Sequence, residues 1–393
     1  MPNNTSYSLP KDSKAWQQAV DSIASLLPDD TNLQDFDALQ SLPVFALIVV
    51  LPNKVSTLDI HQYVQSWVDE QPSWHLVTVA EDTDASFVNI TVADTEPMAG
   101  GAQRLPFTQS QVFRYLLVPV TDTLMHPGKK TAAAHIIDDQ LTTRLRRDLT
   151  EEYKNTNSAN KLDVVDCHIL SVGHMLRTHK LACFDMDSTL IEQEVIVELA
   201  KTAGIGEEVA AITEAAMRGE MEFDESFAQR VALLKGISTD VLDDICSRLT
   251  LSTGARTTIS ALKALGYHTV LVSGGFTYFA RYIAEQLGID EVHANALDIE
   301  EGEVTGHVQL PIINGAKKAA IVEHTAQRLG IEMSQVVCIG DGANDLPMMT
   351  IADLGVAYRA KPIVQARADA AVNVTGLEGT LYALGYPSLA PTQ

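Results

Sequence analysis

Cations are scarce in this chain: 28 Lys and Arg stand against 51 Asp and Glu, a formal net charge of −23 over 393 residues. That balance excludes non-specific nucleic-acid binding, which needs a basic face to neutralise phosphates. It leaves room for a small anionic substrate wherever a divalent cation and a few placed Arg or Lys reverse the local potential. Cysteine is equally sparse. Cys167, Cys183, Cys246 and Cys338 are scattered, mostly in apolar runs, with no CxxC pair, so neither a disulfide framework nor a zinc site is indicated. The eleven histidines show no HxxxH spacing on a helix and no link to a Ser or Cys nucleophile, which argues against a zinc protease or a Ser-His hydrolase. Long hydrophobic runs are missing too. The longest early one, Val44 to Leu51, is far too short to span a bilayer, and Met1-Pro2-Asn3-Asn4-Thr5-Ser6 lacks the basic start and apolar stretch of a secretory signal. A cytoplasmic protein with no membrane or nucleic-acid partner is the expectation. With 46% hydrophobic and 20% charged residues, the chain folds without staples, and its length accommodates two or three domains.

What is present changes in texture along the chain. Residues 1–42 mix polar stretches with a short helix expected around Trp16 to Leu27, and read as an N-terminal extension. From 43 to 176 the pattern runs strand (Phe45 to Leu51), helix (Ser56 to Glu70), strand (His75 to Ala80), strand (Ser86 to Ala93), a Gly/Pro-rich break (Pro97 to Pro106), strand (Tyr115 to Val120), a long amphipathic helix (Ala132 to Tyr153) and strand (Leu162 to Val172). This β-α-β-β order, partly repeated, resembles the ACT-type modules, which implies a regulatory or dimerising α+β domain and a homodimer as a partner state. After Arg177-Thr178-His179-Lys180, apolar runs alternate with helical patterns: Leu181 to Phe184, Thr269 to Val272, Val336 to Ile339 and Leu354 to Ala357. That alternation predicts an α/β domain over 177–386 built on a doubly wound parallel sheet, with ligands at the carboxyl ends of its strands. A helical insertion after the first core strand, about 194–251, is longer than a crossover needs and reads as a cap. A hairpin is expected from His293 to Ile299 and Glu303 to Val308, and 387–393 is a tail.

The chemistry gathers at the ends of those strands. Asp185-Met186-Asp187-Ser188-Thr189 follows the first, placing two carboxylates two residues apart, where an extended backbone aims both at one ligand. One can attack while the other manages a proton; a strand end capped by an Asx turn is the plainer alternative. The second strand ends in Ser273-Gly274-Gly275, a hydroxyl before backbone N–H groups that can approach phosphate oxygens, or simply a turn. The third ends in Gly340-Asp341-Gly342-Ala343-Asn344-Asp345, two more carboxylates beside glycines. Lys317, with Lys318 next to it, opens the helical segment after Asn314-Gly315 and can pair with phosphate.

In this order, DxD, Ser, Lys and GDxxxD, the segments resemble the haloacid dehalogenase superfamily. The strings DMDST, AMRGEMEFDESFAQRVALLKG, SGGF and GDGANDLPM are similar to its phosphoserine phosphatase family over roughly Leu181 to Thr380. The resemblance implies hydrolysis of O-phosphoserine to serine and phosphate, the last step of serine biosynthesis. It casts Asp185 as nucleophile forming an aspartyl-phosphate, and Asp187 as acid then base. It implies Mg²⁺ held by Asp185, the Asp187 carbonyl and Asp341, with Asp345 orienting from nearby. Ser273, the Gly274 N–H and Lys317 would bind the phosphoryl group, with Lys318 as the alternative lysine and Asn344 beside it in substrate binding. From the cap, Glu194 would meet the substrate's ammonium, Arg230 its carboxylate, and Met217 and Phe223 would form an apolar lid. The competing expectations are a relative acting on another small phosphate ester, and an ACT-like amino-acid sensor that has lost turnover.

Overall fold

Apolar runs bounded by polar or glycine residues fix the strands, and a computed structural model describes residues 4–10, 14–24, 44–52, 59–70, 74–80, 87–93, 96–97, 103–104, 107–119, 144–145, 147–149, 151, 165–218 and 220–391. The chain opens with β1 (Asn4–Pro10) and a helix, Lys14–Ser22, in the region of the helix expected from Trp16 to Leu27, of which residues 25–27 lie outside the described residues. There follow β2 (Phe45–Pro52), a helix (Ile60–Asp69), β3 (Trp74–Thr78), β4 (Phe87–Ala93), the short pair β5 (Glu96–Pro97) and β6 (Gln103–Arg104), then β7 (Ser110–Pro119) and β8 (Asp166–Ser171).

The strands β2, β3, β7 and β8 form an antiparallel sheet in the order β3-β7-β2-β8, with the first and third strands of the set at its centre, the arrangement of a split β-α-β unit. Side-chain alternation divides its core in two. Leu47, Val49, Leu51, Tyr115 and Leu117 pack against Ile60, Val64, Trp67 and Val68 of the helix. Ala46, Ile48, Val50, Leu116 and Val118 point the other way into the large core shared with the C-terminal half. Burial on both faces is why Phe45–Pro52 reads as an unbroken apolar run rather than an alternating one. The helix expected from Ala132 to Tyr153 lies mostly outside the described residues, as does most of the break from Pro97 to Pro106; Leu145 and Leu149 are buried in the first of these cores. The strand β4 does not join this sheet: it pairs with β1, which pairs in turn with β17 (Ala390–Pro391), so the described ends of the chain are held in one small sheet.

The C-terminal half is a six-stranded sheet of parallel pairs in the order β11-β10-β9-β14-β15-β16. Its strands are β9 (Leu181–Phe184), β10 (His268–Phe276), β11 (Glu291–Asn295), β14 (Val336–Gly340), β15 (Leu354–Tyr358) and β16 (Ala370–Val372). The order reverses between β9 and β14, and a doubly wound sheet binds its ligands in the crevice at such a reversal. Register sets the residues there side by side: Phe184 is level with Ile339 and with Leu271, so Asp185, Asp341 and Ser273 emerge at the same edge. The cap is four helices, Val195–Ala203, Gly206–Met217, Phe223–Ala232 and Thr239–Arg248, whose two linkers meet at an antiparallel bridge, Ile191 to Leu251.

The expected hairpin is modified. Its first arm divides into β11, which joins the large sheet, and β12 (Leu297–Glu300), which pairs with β13 (Glu303–Val308). Asn295 enforces the break, since its side chain donates to the Gly274 carbonyl and accepts from the Ile313 N–H, each at 2.8 Å. No helix among the described residues is long and apolar enough to cross a membrane.

Candidate active site

Asp185 is the first residue past β9, and its N–H continues the ladder to the Ile339 carbonyl at 2.9 Å. Its carboxylate is buried and accepts from the ammonium of Lys318 at 2.7 Å, which also donates to Asp345 at 2.6 Å. Lys318 belongs to the helix Gly315–Leu329 and has no exposed surface. Lys317 is exposed on the same helix and lines a separate surface groove with Asp224 and Leu310, so the structure corrects the choice between the two lysines. Helix phase explains why. The buried face of that helix is Lys318, Val322, Thr325 and Ala326, a spacing of four, three and one, and a residue one position earlier points away from it.

Two carboxylates share one ammonium, and the electrostatics follow. Burial, then the charge of Asp345, push the Asp185 carboxyl up to about 7 against the pull of Lys318. Burial works against the Lys318 ammonium, but Asp185 and Asp345 more than reverse it and hold it charged. Asp341 is pushed up to about 8 by burial and by Asp185, Asp345 and Glu194. Asp187 is raised by burial, Glu194 and Asp185. Carboxylate oxygens of Asp185, Asp341 and Asp345 lie within 4.8 Å of one another. Three carboxylates against one ammonium leave an excess of negative charge among hard oxygen donors, and a divalent cation fits that excess. The oxygens of Asp345 are already engaged: one takes Lys318, the other the N–H groups of Asp341 and Gly342 at 3.2 and 2.9 Å.

Glycines permit this crowding. A Cβ at Gly340 would sit 2.5 Å from the Asp345 carboxyl, and one at Gly275 would sit 3.0 Å from Asp187 Oδ2 and 3.1 Å from Ser273 Oγ. Ser273 is buried and its Oγ accepts the Gly275 N–H at 2.8 Å, which turns the loop back toward Asp187.

These groups open into a cavity of about 180 Å³ between sheet and cap, lined among others by Asp185, Asp187, Glu194, Arg230, Ser273 and Asn344. Gly274, Asp341 and Phe223 line it as well. Phe223 stacks on Phe227 with ring centroids 6.1 Å apart, and Phe227 meets Phe276 of β10 at 5.6 Å, an aromatic column joining cap to core. Arg230 lies over the Phe227 ring at 5.9 Å and donates to the Ser226 carbonyl. Met217 ends the helix Gly206–Met217, and its side chain lies outside the described residues. Gly275, expected with Ser273 and Gly274, lines the cavity too, whereas Phe227, Phe276, Ile196 and Lys361, which also line it, were given no role by sequence reasoning. The i, i+4 pair Phe223 and Phe227 was the available signal for one of them.

A parallel sheet with its carboxylates at the strand-order reversal, roofed by an inserted helical cap, defines a hydrolase of the haloacid dehalogenase type. The family model for haloacid dehalogenase-like hydrolases matches residues 182–350. The chain is 47% identical over 221 residues to a phosphoserine phosphatase of Streptomyces coelicolor, covering 56% of this chain and 54% of that one. It is 44% identical over 231 residues to a probable phosphoserine phosphatase of Schizosaccharomyces pombe, covering 58% and 78%. The crystal structure of a HAD family hydrolase from Salmonella enterica serovar Typhi is 27% identical and superposes with a TM-score of 0.64 over 86% of this chain and 98% of that one. The chain belongs to the haloacid dehalogenase-like hydrolases, in the branch of the phosphoserine phosphatases. The matched stretch spans about half the length of the Streptomyces relative.

Proposed function

We propose that the chain is a Mg²⁺-dependent phosphoserine phosphatase, acting in the cytoplasm and releasing serine and phosphate from O-phospho-L-serine. The observation that carries the reading is the buried Asp185–Lys318–Asp345 array, whose Asp185 lines a cavity that Glu194 and Arg230 line from the cap side. An array of this kind on the core suits phosphoryl transfer, and a carboxylate facing a guanidinium on the cap suits a zwitterion.

In this reading Asp185 attacks phosphorus, the P–O bond to the serine oxygen breaks, and an aspartyl-phosphate forms. Asp187, protonated because burial and its neighbours favour the neutral carboxyl, gives its proton to the leaving oxygen. The resulting carboxylate then takes a proton from the water that attacks the aspartyl-phosphate, regenerating Asp185. Lys318, Ser273 and the Gly274 N–H hold the phosphoryl oxygens, so the role expected of Lys317 passes to its neighbour. Asp185, the Asp187 carbonyl and Asp341 would hold Mg²⁺, with Asp345 orienting them. The bound ion supplies charge neutralisation between the anionic nucleophile and the anionic ester. Glu194 and Arg230 bind the amino and carboxylate groups, while Phe223, with Met217 on the neighbouring helix, closes the apolar side.

Phosphate release from O-phosphoserine, measured with Mg²⁺ and with EDTA, tests the reading. Asp185→Asn should abolish it, and residual turnover in that variant would remove Asp185 as nucleophile. Arg230→Ala should raise KM for phosphoserine while sparing an aryl phosphate; equal losses on both would overturn the zwitterion assignment.

A further inference from the structure

Glu194 is exposed at the rim of the cavity, where a long side chain can point in or out unless a neighbour fixes it. It is the N-cap of the helix Val195–Ala203 yet makes no side-chain bond to that helix's N–H groups. Its charge instead lines the cavity and bears on both Asp187 and Asp341. Those neighbouring carboxyls repel it, so an exposed Glu194 keeps its place at the cavity rim only if a neighbour fixes its direction. The hydroxyl of Ser188 holds it, donating to Glu194 Oε1 at 2.9 Å.

Ser188 reaches that position through an uncommon backbone. Its φ is 57°, in the left-handed region that residues with a Cβ rarely enter. The surroundings over-determine it. The Ser188 N–H donates to the Gln193 carbonyl at 3.2 Å, closing a tight loop. The Gln193 side chain is tied to Thr250 of the other cap linker in both directions, donating to Oγ1 at 3.2 Å and accepting the backbone N–H at 3.0 Å. At the far end Asp187 Oδ1 accepts the Val195 N–H at 3.4 Å. Strain of this kind persists only where neighbours enforce it. Here it aims one hydroxyl at one carboxylate.

We propose that Ser188 is a positioning residue for amino-group recognition: it fixes the Glu194 carboxylate toward the cavity so that esters carrying an ammonium are selected over esters that lack one. The inference deepens the phosphoserine reading and rests on it. Ser188 does not touch the reacting phosphorus in this scheme and acts through Glu194.

The test uses the full chain with O-phosphoserine and p-nitrophenyl phosphate. Ser188→Gly removes the hydroxyl and relieves the backbone; Ser188→Ala removes the hydroxyl alone. Loss of a hydrogen bond to a charged group should raise KM for phosphoserine about 10-fold or more in both variants. The kcat should stay within about threefold, and kcat/KM on the aryl ester within about twofold. Unchanged KM for phosphoserine, or equal losses on both esters, would overturn the proposal, the second result marking a collapsed loop. If Glu194→Gln abolishes the preference for phosphoserine while neither Ser188 variant changes it, only the role of Ser188 falls. If the unaltered chain hydrolyses the aryl ester and not phosphoserine, the substrate reading falls and takes this inference with it.

Discussion

Replacing Lys318 by Met keeps most of the side-chain volume and removes the charge, which isolates what the ammonium does. In the folded protein Lys318 is fully buried and its ammonium lies 2.7 Å from Asp185 and 2.6 Å from Asp345. Without it two buried carboxyls face each other with no cation between them. Breaking a buried ion pair from one side costs about 3–5 kcal/mol, and here one substitution orphans two acids. Because Asp185 already sits at about 7 with Lys318 present, the loss can only raise it further. A folded-state pKa above the unfolded value means that the folded chain holds more protons, so stability declines as pH rises through that window. Lys318→Met should therefore lower the urea midpoint at pH 8 by an amount worth about 3–5 kcal/mol in EDTA. The deficit should shrink toward pH 5, where Asp185 is protonated. Lys317→Met, on the exposed side of the same helix, should change the midpoint by less than about 0.5 kcal/mol. Phosphate release should follow the same split, lost in Lys318→Met and kept in Lys317→Met. If Lys317→Met were the inactive variant, or if both were equally stable, the phase argument for this helix would be wrong.

Two further outcomes follow from buried contacts. Glu378 is wholly buried where the halves meet, its Oε1 accepting from the Thr108 and Gly376 N–H groups at 2.8 and 3.0 Å, and burial first of all pushes it from 4.5 up to about 7. A raised acid makes the folded state lose stability as pH climbs from about 4.5 to about 7, by roughly 3 kcal/mol at most; Glu378→Gln should flatten that part of the urea-midpoint profile, and an unaltered slope would assign it to other groups. Gly275→Ala would bring a methyl to within 3.0 Å of Asp187 Oδ2 and 3.1 Å of Ser273 Oγ, so kcat should fall at least about 10-fold while the melting temperature moves by only a few degrees; full activity would mean the loop yields freely.

The parallel sheet was legible because its strands are covered on both faces, which turns Leu181–Phe184, Val336–Gly340 and Leu354–Tyr358 into short apolar runs punctuated by the residues that carry the chemistry. The edge strands were harder. Ala370–Val372 is three residues long, and Glu291–Asn295 runs almost directly into β12, separated only by Ala296 and the turn that Asn295 enforces. Lys318 could have been chosen over Lys317 from the stripe it shares with Val322 and Ala326, since a charged residue in phase with an apolar face needs a buried partner. The support beneath Glu194 had no comparable signal. A serine with positive φ leaves no trace in composition or periodicity, and its contact with Glu194 is known only once the loop is folded.

Least legible was the bond between the two halves. The sequence presents residues 43–176 as a module with its own alternation, yet alternate residues of β2 and β7 enter a core that also contains Leu381, Tyr382 and Leu384. Polar contacts run across in both directions. Asp166 of β8 accepts the backbone N–H groups of Asn373 and Val374 at 3.0 Å, and Glu378 returns the favour to Thr108. Arg114 and Trp16 both donate to the carbonyl of Gly385. Pairings between residues more than 200 positions apart carry no local pattern, so no reading along the chain could have found them. Their consequence is experimental. Deleting residues 1–176 would expose one apolar face of the sheet's partner layer and strip the Thr108 N–H from buried Glu378, so a loss of activity in such a truncation would report a damaged core as readily as a lost regulatory function.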